Sequence, residues 1–325
     1  TAAAFVPLYN VAAEDWEADL HGICDREQLA DLYWSDELAG TVTPEAALET
    51  GLMPGTRVTA GTADAGAEAF SVGVLRPGDM MVMFGSSVFI IHVVGAPRSD
   101  PRLWSGPYLF KGTHCLTAGM SCAGTLTRWF KDALAPELAA KAEAEGLNAY
   151  AELAKLCEGI PAGSGGLIVL PYFSGERTPI NDPDAKGVIF GLNLLHTRAH
   201  LYRACLEGVG YGINQHFEIF DAMGLPPRRV TAVGGGTKNA VWLQAVADIC
   251  GRPYHLPEVE AGAAYGDALM AALAVGHFKD VDAVRSLLKM RAVVEPDLET
   301  HRAYQPFAGR YARLYEATKG LMHEG

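Results

Sequence analysis

Short apolar runs ending in glycine or polar turns alternate along the chain with stretches of helical period, a pattern that predicts an α/β layered fold rather than a bundle or a sandwich. Residues 80–94, "MMVMFGSSVFIIHVV", carry two β runs about a Gly-Ser-Ser turn and read as a hairpin. Residues 55–64, "GTRVTAGTAD", read as a strand that stops at a glycine and an aspartate; 65–75 follow as a helix of small residues. Helices are also predicted over 14–33, 124–134 and 142–159, and the apolar segment 165–179 reads as a buried strand leading into a polar loop. A longer helix over 197–223 places Leu201, Cys205, Val209 and Ile213 on one face. "RRVTAVGGG" at 228–236 is a further strand ending in glycines, and 240–251 is a helix closed by Gly251. The opening "TAAAFVPLYN" offers a short apolar strand, and the last ~45 residues read as helical. Strand, glycine turn and small-residue helix occur in that order at 57–75 and again at 229–250; two such units facing one another would form a cleft at the strand ends.

Composition narrows the function. With 49% apolar and 20% charged residues among 325, the chain is a globular protein with room for a large core and for two packed units. A net charge of −12 argues against a nucleic-acid surface, and no apolar run approaches a membrane span. Six scattered cysteines without metal spacing read as reduced core residues of a cytoplasmic protein. The chain starts at Thr1 and its opening reads as the interior of something longer, so a piece of a larger polypeptide is expected, with peptidase processing as the alternative.

Three local features carry candidate chemistry. Gly234, Gly235 and Gly236 follow a strand and precede a helix, where a ligand can approach the backbone; a tight structural turn serves equally as an explanation. The segment matches neither G-x-G-x-x-G nor a P-loop. Gly85, Ser86 and Ser87 offer hydroxyls and backbone donors suited to phosphate, although an ordinary hairpin turn is the plainer account. Asp64, at the end of a strand, is placed either as a general base or as a helix N-cap.

At 186–212, "KGVIFGLNLLHTRAHLYRACLEGVGYG", the sequence resembles the C-terminal signature of the FGGY family of carbohydrate kinases, through Gly187, Ile189, Gly191, Leu192, His200, Leu201, Arg203, Ala204, Leu206 and Glu207. The segments "AGTADAGAEA", "FGSSVF", "LPYFSGERTPINDPDAKG", "GGGTKNAVWLQAVADICGRP" and "GAAYGDALMAALAVG" occur in the family's order, and "ERTP…DPDAKG" is most similar to the xylulokinase branch. The resemblance implies an actin-like, ribonuclease H-like ATPase domain over 59–325, with 1–58 the end of a similar first domain. It implies that Asp64 is the catalytic base, within reach of a metal through water and of the sugar, with Phe89 as a second sugar contact. It places Gly85, Ser86 and Ser87 on the ATP phosphates, Ala123, Gly124 and Thr127 along the nucleotide cleft, and Gly235, Gly236 and Asn239 at the adenosine. Ser86 departs from the usual Thr, and Ala65 stands where xylulokinases often carry Asn or Gln.

The implied activity is ATP- and Mg²⁺-dependent phosphorylation of xylulose or a related ketose or polyol. The family's first-domain motif D-x-G-T-x-x-[KR] does not occur in the chain, so this piece is expected to be inactive alone. A non-catalytic actin-like nucleotide-binding module is the alternative. A homodimer is the default expectation for a soluble oligomer.

Overall fold

The computed structural model describes residues 8–324. The described residues open with β1 (Tyr9–Asn10) and β2 (Asp15–Trp16), followed by β3 (Leu38–Thr41), α1 (Pro44–Thr50), β4 (Arg57–Thr59) and α2 (Asp64–Ser71). Four strands come next: β5 (Asp79–Phe84), β6 (Val88–Val94), β7 (Trp104–Pro107) and β8 (His114–Met120). Helices α3 (Gly124–Leu134), α4 (Pro136–Ala144) and α5 (Ala149–Leu156) precede β9 (Ile168–Leu170), β10 (Val188–Phe190) and the long α6 (Arg198–Ala222). The remainder holds β11 (Arg229–Val233), α7 (Ala240–Cys250), β12 (Tyr254–Pro257), α8 (Ala263–Ala274), α9 (Val281–Leu287), β13 (Met290–Val294) and α10 (Leu298–Met322). Seven strands form one sheet in the order β13-β12-β11-β5-β6-β8-β7. β11 and β12 run parallel, with Val230 opposite Tyr254.

The helix predicted over 14–33 is absent; β1 pairs antiparallel with β2, Tyr9 opposite Trp16. The Asn10 side chain accepts the N–H groups of Ala12 (3.0 Å) and Ala13 (2.9 Å), making a local turn that competes with helix. Glu14 and His21 have φ of +55° and +53°, which no right-handed helix admits. The Trp16 indole N–H donates to the Ala30 carbonyl (2.9 Å), folding the segment back on itself. Most of the strand expected in "TAAAFVPLYN" lies outside the described residues, and its end forms β1. The helical tail is likewise interrupted, by β13: Val293 and Val294 suit a strand, and Asp297 then starts α10 by accepting the N–H groups of Glu299 (2.9 Å) and Thr300 (2.8 Å).

Two compact units divide the chain: the first takes residues through Asp79 with 91–116 and 257–289, the second takes 80–90, 117–256 and 290–325. In the first unit, α2 and α8 touch backbone to backbone. A Cβ on Gly266 would fall 1.8 Å from the Ala67 carbonyl oxygen, so only glycine permits this crossing. Phe70 of α2 meets Phe110 edge-to-face at 5.7 Å, and the buried Tyr108 hydroxyl donates to the Val74 carbonyl (2.7 Å).

The second unit is built on α6, buried along most of its length and packed on β9 and α7. Its central ion pair is fully satisfied. Glu207, with no exposed surface, accepts from Arg203 Nε (2.9 Å), the Tyr304 hydroxyl (2.8 Å), the Ser164 hydroxyl (2.7 Å) and the Gly163 N–H (3.2 Å). Four donors make burial of the carboxylate tolerable and tie α6 to α10 and to the 163–164 loop. Glu207→Ala, which strands the Arg203 charge, should lower unfolding free energy by about 3–5 kcal/mol in urea titration. The double change Arg203→Met with Glu207→Leu should recover much of that loss.

Candidate functional site

The turn between β5 and β6 closes on itself, the Gly85 N–H donating to the Ser87 carbonyl at 3.0 Å. The start of α3 is welded to this turn. Ala123 and Thr125 N–H groups donate to the Ser86 carbonyl and Gly124 N–H to the Gly85 carbonyl, each at 3.0 Å. The Thr125 hydroxyl adds a bond to Ser86 at 2.9 Å. A Cβ on Gly124 would lie 2.6 Å from the Gly85 carbonyl oxygen, so the approach requires glycine there.

A second wall is the 3₁₀ turn Gly235–Lys238, held by the Thr237 hydroxyl donating to the Gly234 carbonyl (2.8 Å). Asn239 then caps α7, its side-chain oxygen accepting the Trp242 N–H at 3.0 Å. Trp242 meets Phe84 of β5 edge-to-face at 5.6 Å, which fixes the glycine turn against the sheet. α5 supplies the third wall with Asn148, Tyr150, Ala154 and Lys155, and α6 contributes Tyr202. Together these surfaces enclose a cleft of about 640 Å³, a volume suited to a small organic ligand.

Of the residues singled out in the sequence, Gly85, Ser86, Gly124, Thr127, Gly235, Gly236 and Asn239 all line this cleft. Ser87 completes the turn through its carbonyl, and Ala123 is wholly buried at the α3 N-cap; neither is on the wall. Phe89 is half-buried in β6. The α5 wall and Tyr202 carried no sequence signal. The Tyr202 ring packs on Phe130 at 5.0 Å and its buried hydroxyl faces Asn239.

Asp64 belongs to the first unit. Ala63, not Asp64, is the N-cap of α2; Asp64 is the first helical residue, exposed, and accepts the Ala65 N–H at 2.8 Å. Glu68, one turn on and half-buried, has its carboxyl pushed up by burial and then by the Asp64 and Glu260 charges. Among the described residues no group of three His, Cys, Asp or Glu could hold a metal ion, and no described helix is long and apolar enough to cross a membrane.

Residues 80–275 match the family described as "FGGY family of carbohydrate kinases, C-terminal domain". The chain belongs to the FGGY family of carbohydrate kinases. A xylulose kinase of Escherichia coli (strain K12) is 32% identical over 328 residues, covering 98% of this chain and 65% of that protein. A gluconokinase of Bacillus subtilis (strain 168) is 28% identical over 322 residues, 97% of this chain and 63% of the relative. The crystal structure of a xylulose kinase from Rhodospirillum rubrum superposes with a TM-score of 0.87 at 35% identity, covering 97% of this chain and 62% of that one. The chain therefore spans under two-thirds of the length of these relatives. Its mixed sheet flanked by helices is the actin-like, ribonuclease H-like fold of FGGY kinases.

Behind the cleft, Thr178 joins the loop after β9 to the end of β8, its hydroxyl oxygen accepting the Gly119 N–H at 2.7 Å. Fully buried His216 lies 3.0 Å from the same hydroxyl through Nε2, and its Nδ1 is 2.9 Å from the Gly212 carbonyl. With Nδ1 as the donor to Gly212, Nε2 carries no proton and the ring is neutral; the one Thr178 hydroxyl proton is shared between Nε2 and the Gly119 carbonyl at 3.1 Å. Burial depresses the His216 pKa to about 4. Its contribution to stability is complete above pH ~6.5, the unfolded value, and is lost as pH falls towards 4 because the unfolded chain takes up the proton first. Urea unfolding should show the stability of wild type relative to His216→Gln falling by about 3 kcal/mol between pH 7 and pH 4.

Proposed function

We propose that this chain is the nucleotide-binding and base-carrying part of an ATP-dependent sugar kinase, with 59–325 as the second FGGY domain and 1–58 as the end of the first. The observation that supports this most directly is the convergence of the Ser86 turn, the α3 start and the 235–239 turn on one cleft. In this reading the Gly85-Ser86-Ser87 turn receives the phosphates, Ala123, Gly124 and Thr127 shape the nucleotide cleft beside it, and Gly235, Gly236 and Asn239 hold the adenosine against α5. Phosphoryl transfer depends on positioning and charge stabilisation, which rigid backbone donors supply without reorganising.

Asp64 acts as the general base that takes the proton from the sugar hydroxyl as the oxygen attacks the γ-phosphorus. Its exposure keeps the carboxylate available to a substrate. Magnesium bound with the nucleotide would neutralise phosphate charge; the absence, among the described residues, of a group of three His, Cys, Asp or Glu able to hold a metal fits an ion held mainly by phosphate oxygens and water. The substrate is xylulose or a related ketose, sugar acid or polyol, in keeping with the xylulose kinase and gluconokinase relatives. The enzyme is cytoplasmic in this reading, and the present chain alone turns over no sugar.

In a polypeptide of full family length, Asp64→Asn should lower kcat by roughly 10²–10⁴-fold and leave ATP affinity unchanged. A coupled ADP-release assay and calorimetric ATP titration measure the two quantities. Loss of ATP affinity with little change in kcat would instead make Asp64 a structural residue of α2.

A further inference from the structure

Glu176 is the buried acid that the proposed chemistry leaves unused. Only 4% exposed, it places Oε1 on two backbone donors, Ser121 N–H at 2.6 Å and Arg177 N–H at 2.8 Å. Its Oε2 is buried and meets no hydrogen-bond partner among the described residues. Burial pushes the carboxyl up to about 7, a cost that an ordinary loop residue would have no reason to carry.

The two residues that follow grip the same place. Arg177 donates from Nη2 to the carbonyls of Met120 (2.7 Å) and Val88 (3.1 Å), and Thr178 accepts the Gly119 N–H (2.7 Å). Three consecutive side chains thus hold the three consecutive residues 119–121 at the end of β8, and also the first residue of β6. Both points flank the cleft. Val88 follows Ser87 directly, and Ser121 lies two residues before Ala123, where the N–H groups that hold the Gly85 and Ser86 carbonyls begin.

We propose that Glu176 is a positioning residue for the phosphate turn: by fixing Ser121 it sets the start of α3, and α3 in turn sets the Gly85-Ser86 backbone. This rests on reading residues 85–87 as the phosphate contact. Glu176 touches no ligand itself. Its effect is confined to the phosphate end, because the 235–239 turn and α5 are held by other bonds.

The test compares ADP with adenosine in calorimetric titrations of the 325-residue chain. Glu176→Ala should weaken ADP binding at least ~10-fold while adenosine affinity stays within about twofold. Glu176→Gln, which keeps an acceptor oxygen at Oε1, should restore most of the ADP affinity. Should the alanine variant fail to fold, Glu176→Asp withdraws the acceptor by one methylene and should show the same selective loss. Equal losses for ADP and adenosine, or a wild-type preference for ADP that survives in both the Ala and Asp variants, would overturn the role of Glu176 alone. A wild-type chain that binds ADP no more tightly than adenosine overturns the phosphate reading and this proposal with it.

Discussion

The backbone N–H groups of Ala123, Gly124 and Thr125 donate to the carbonyls of Gly85 and Ser86, and the shape of the cleft depends on that junction. A helix start ordinarily leaves its first amides to a capping side chain or to water. Ala123 has no side chain that can cap, so the neighbouring turn supplies the acceptors and becomes part of the helix terminus. The turn and helix then move as one body, and the two pieces of chain, some forty residues apart in sequence, share one geometry. The same junction limits which α3 amides could face a ligand: those three are already committed, so in the proposed reading any phosphate contact there is left to the turn itself and to side chains such as Thr127.

Polar groups buried behind this junction work in the same way at longer range. Glu207 gathers α6, α10 and the 163–164 loop onto one carboxylate with four donors. His216 and Thr178 join the middle of α6 to the end of β8. Such contacts add little net stability compared with an apolar replacement, because desolvation offsets most of their attraction. What they provide is a single register: a slip at any one strands a buried charge or hydroxyl. A fold that has to hold backbone turns in fixed positions around a ligand gains more from that selectivity than from additional apolar area.

The parts legible in the sequence were those in which local period and burial agree. The 80–94 hairpin, the 229–250 strand-turn-helix and α6 each bury a continuous apolar face, and each is found where the pattern put it. The failures have separate physical causes. At 14–33 the charges of "EDWEADL" suggested a helix, but the Asn10 turn and the left-handed Glu14 and His21 prevent one. β13 escaped notice because a half-exposed edge strand has too weak an alternation to stand out beside the helices around it. The α5 wall of the cleft was invisible for another reason. Tyr150 and Lys155 lie on an ordinary amphipathic helix capped by Asn148, and only the packing of α5 on α6 and α7 brings them to the cleft wall.

Asp64 shows how two causes can share one stretch of sequence. A lone carboxylate among Gly, Ala and Thr implies a burial cost, to be met by pairing or by use. The structure removes the cost, since the side chain is exposed and its burial never arises. The small residues answer to other constraints: a Cβ on Gly66 would lie 2.8 Å from Thr62 Oγ1 and 3.2 Å from Leu109, and α8 crosses the Ala67 backbone so closely that Gly266 can carry no Cβ. The stretch carries two acids of different kind: Glu68 is half-buried with its carboxyl pushed up by burial, whereas Asp64 is exposed. Asp64, in the first turn of α2, gains from the helix dipole and accepts the Ala65 N–H at 2.8 Å. Its place therefore has a structural account that stands beside the chemical role proposed for it, and only its exposure leaves it open to a substrate.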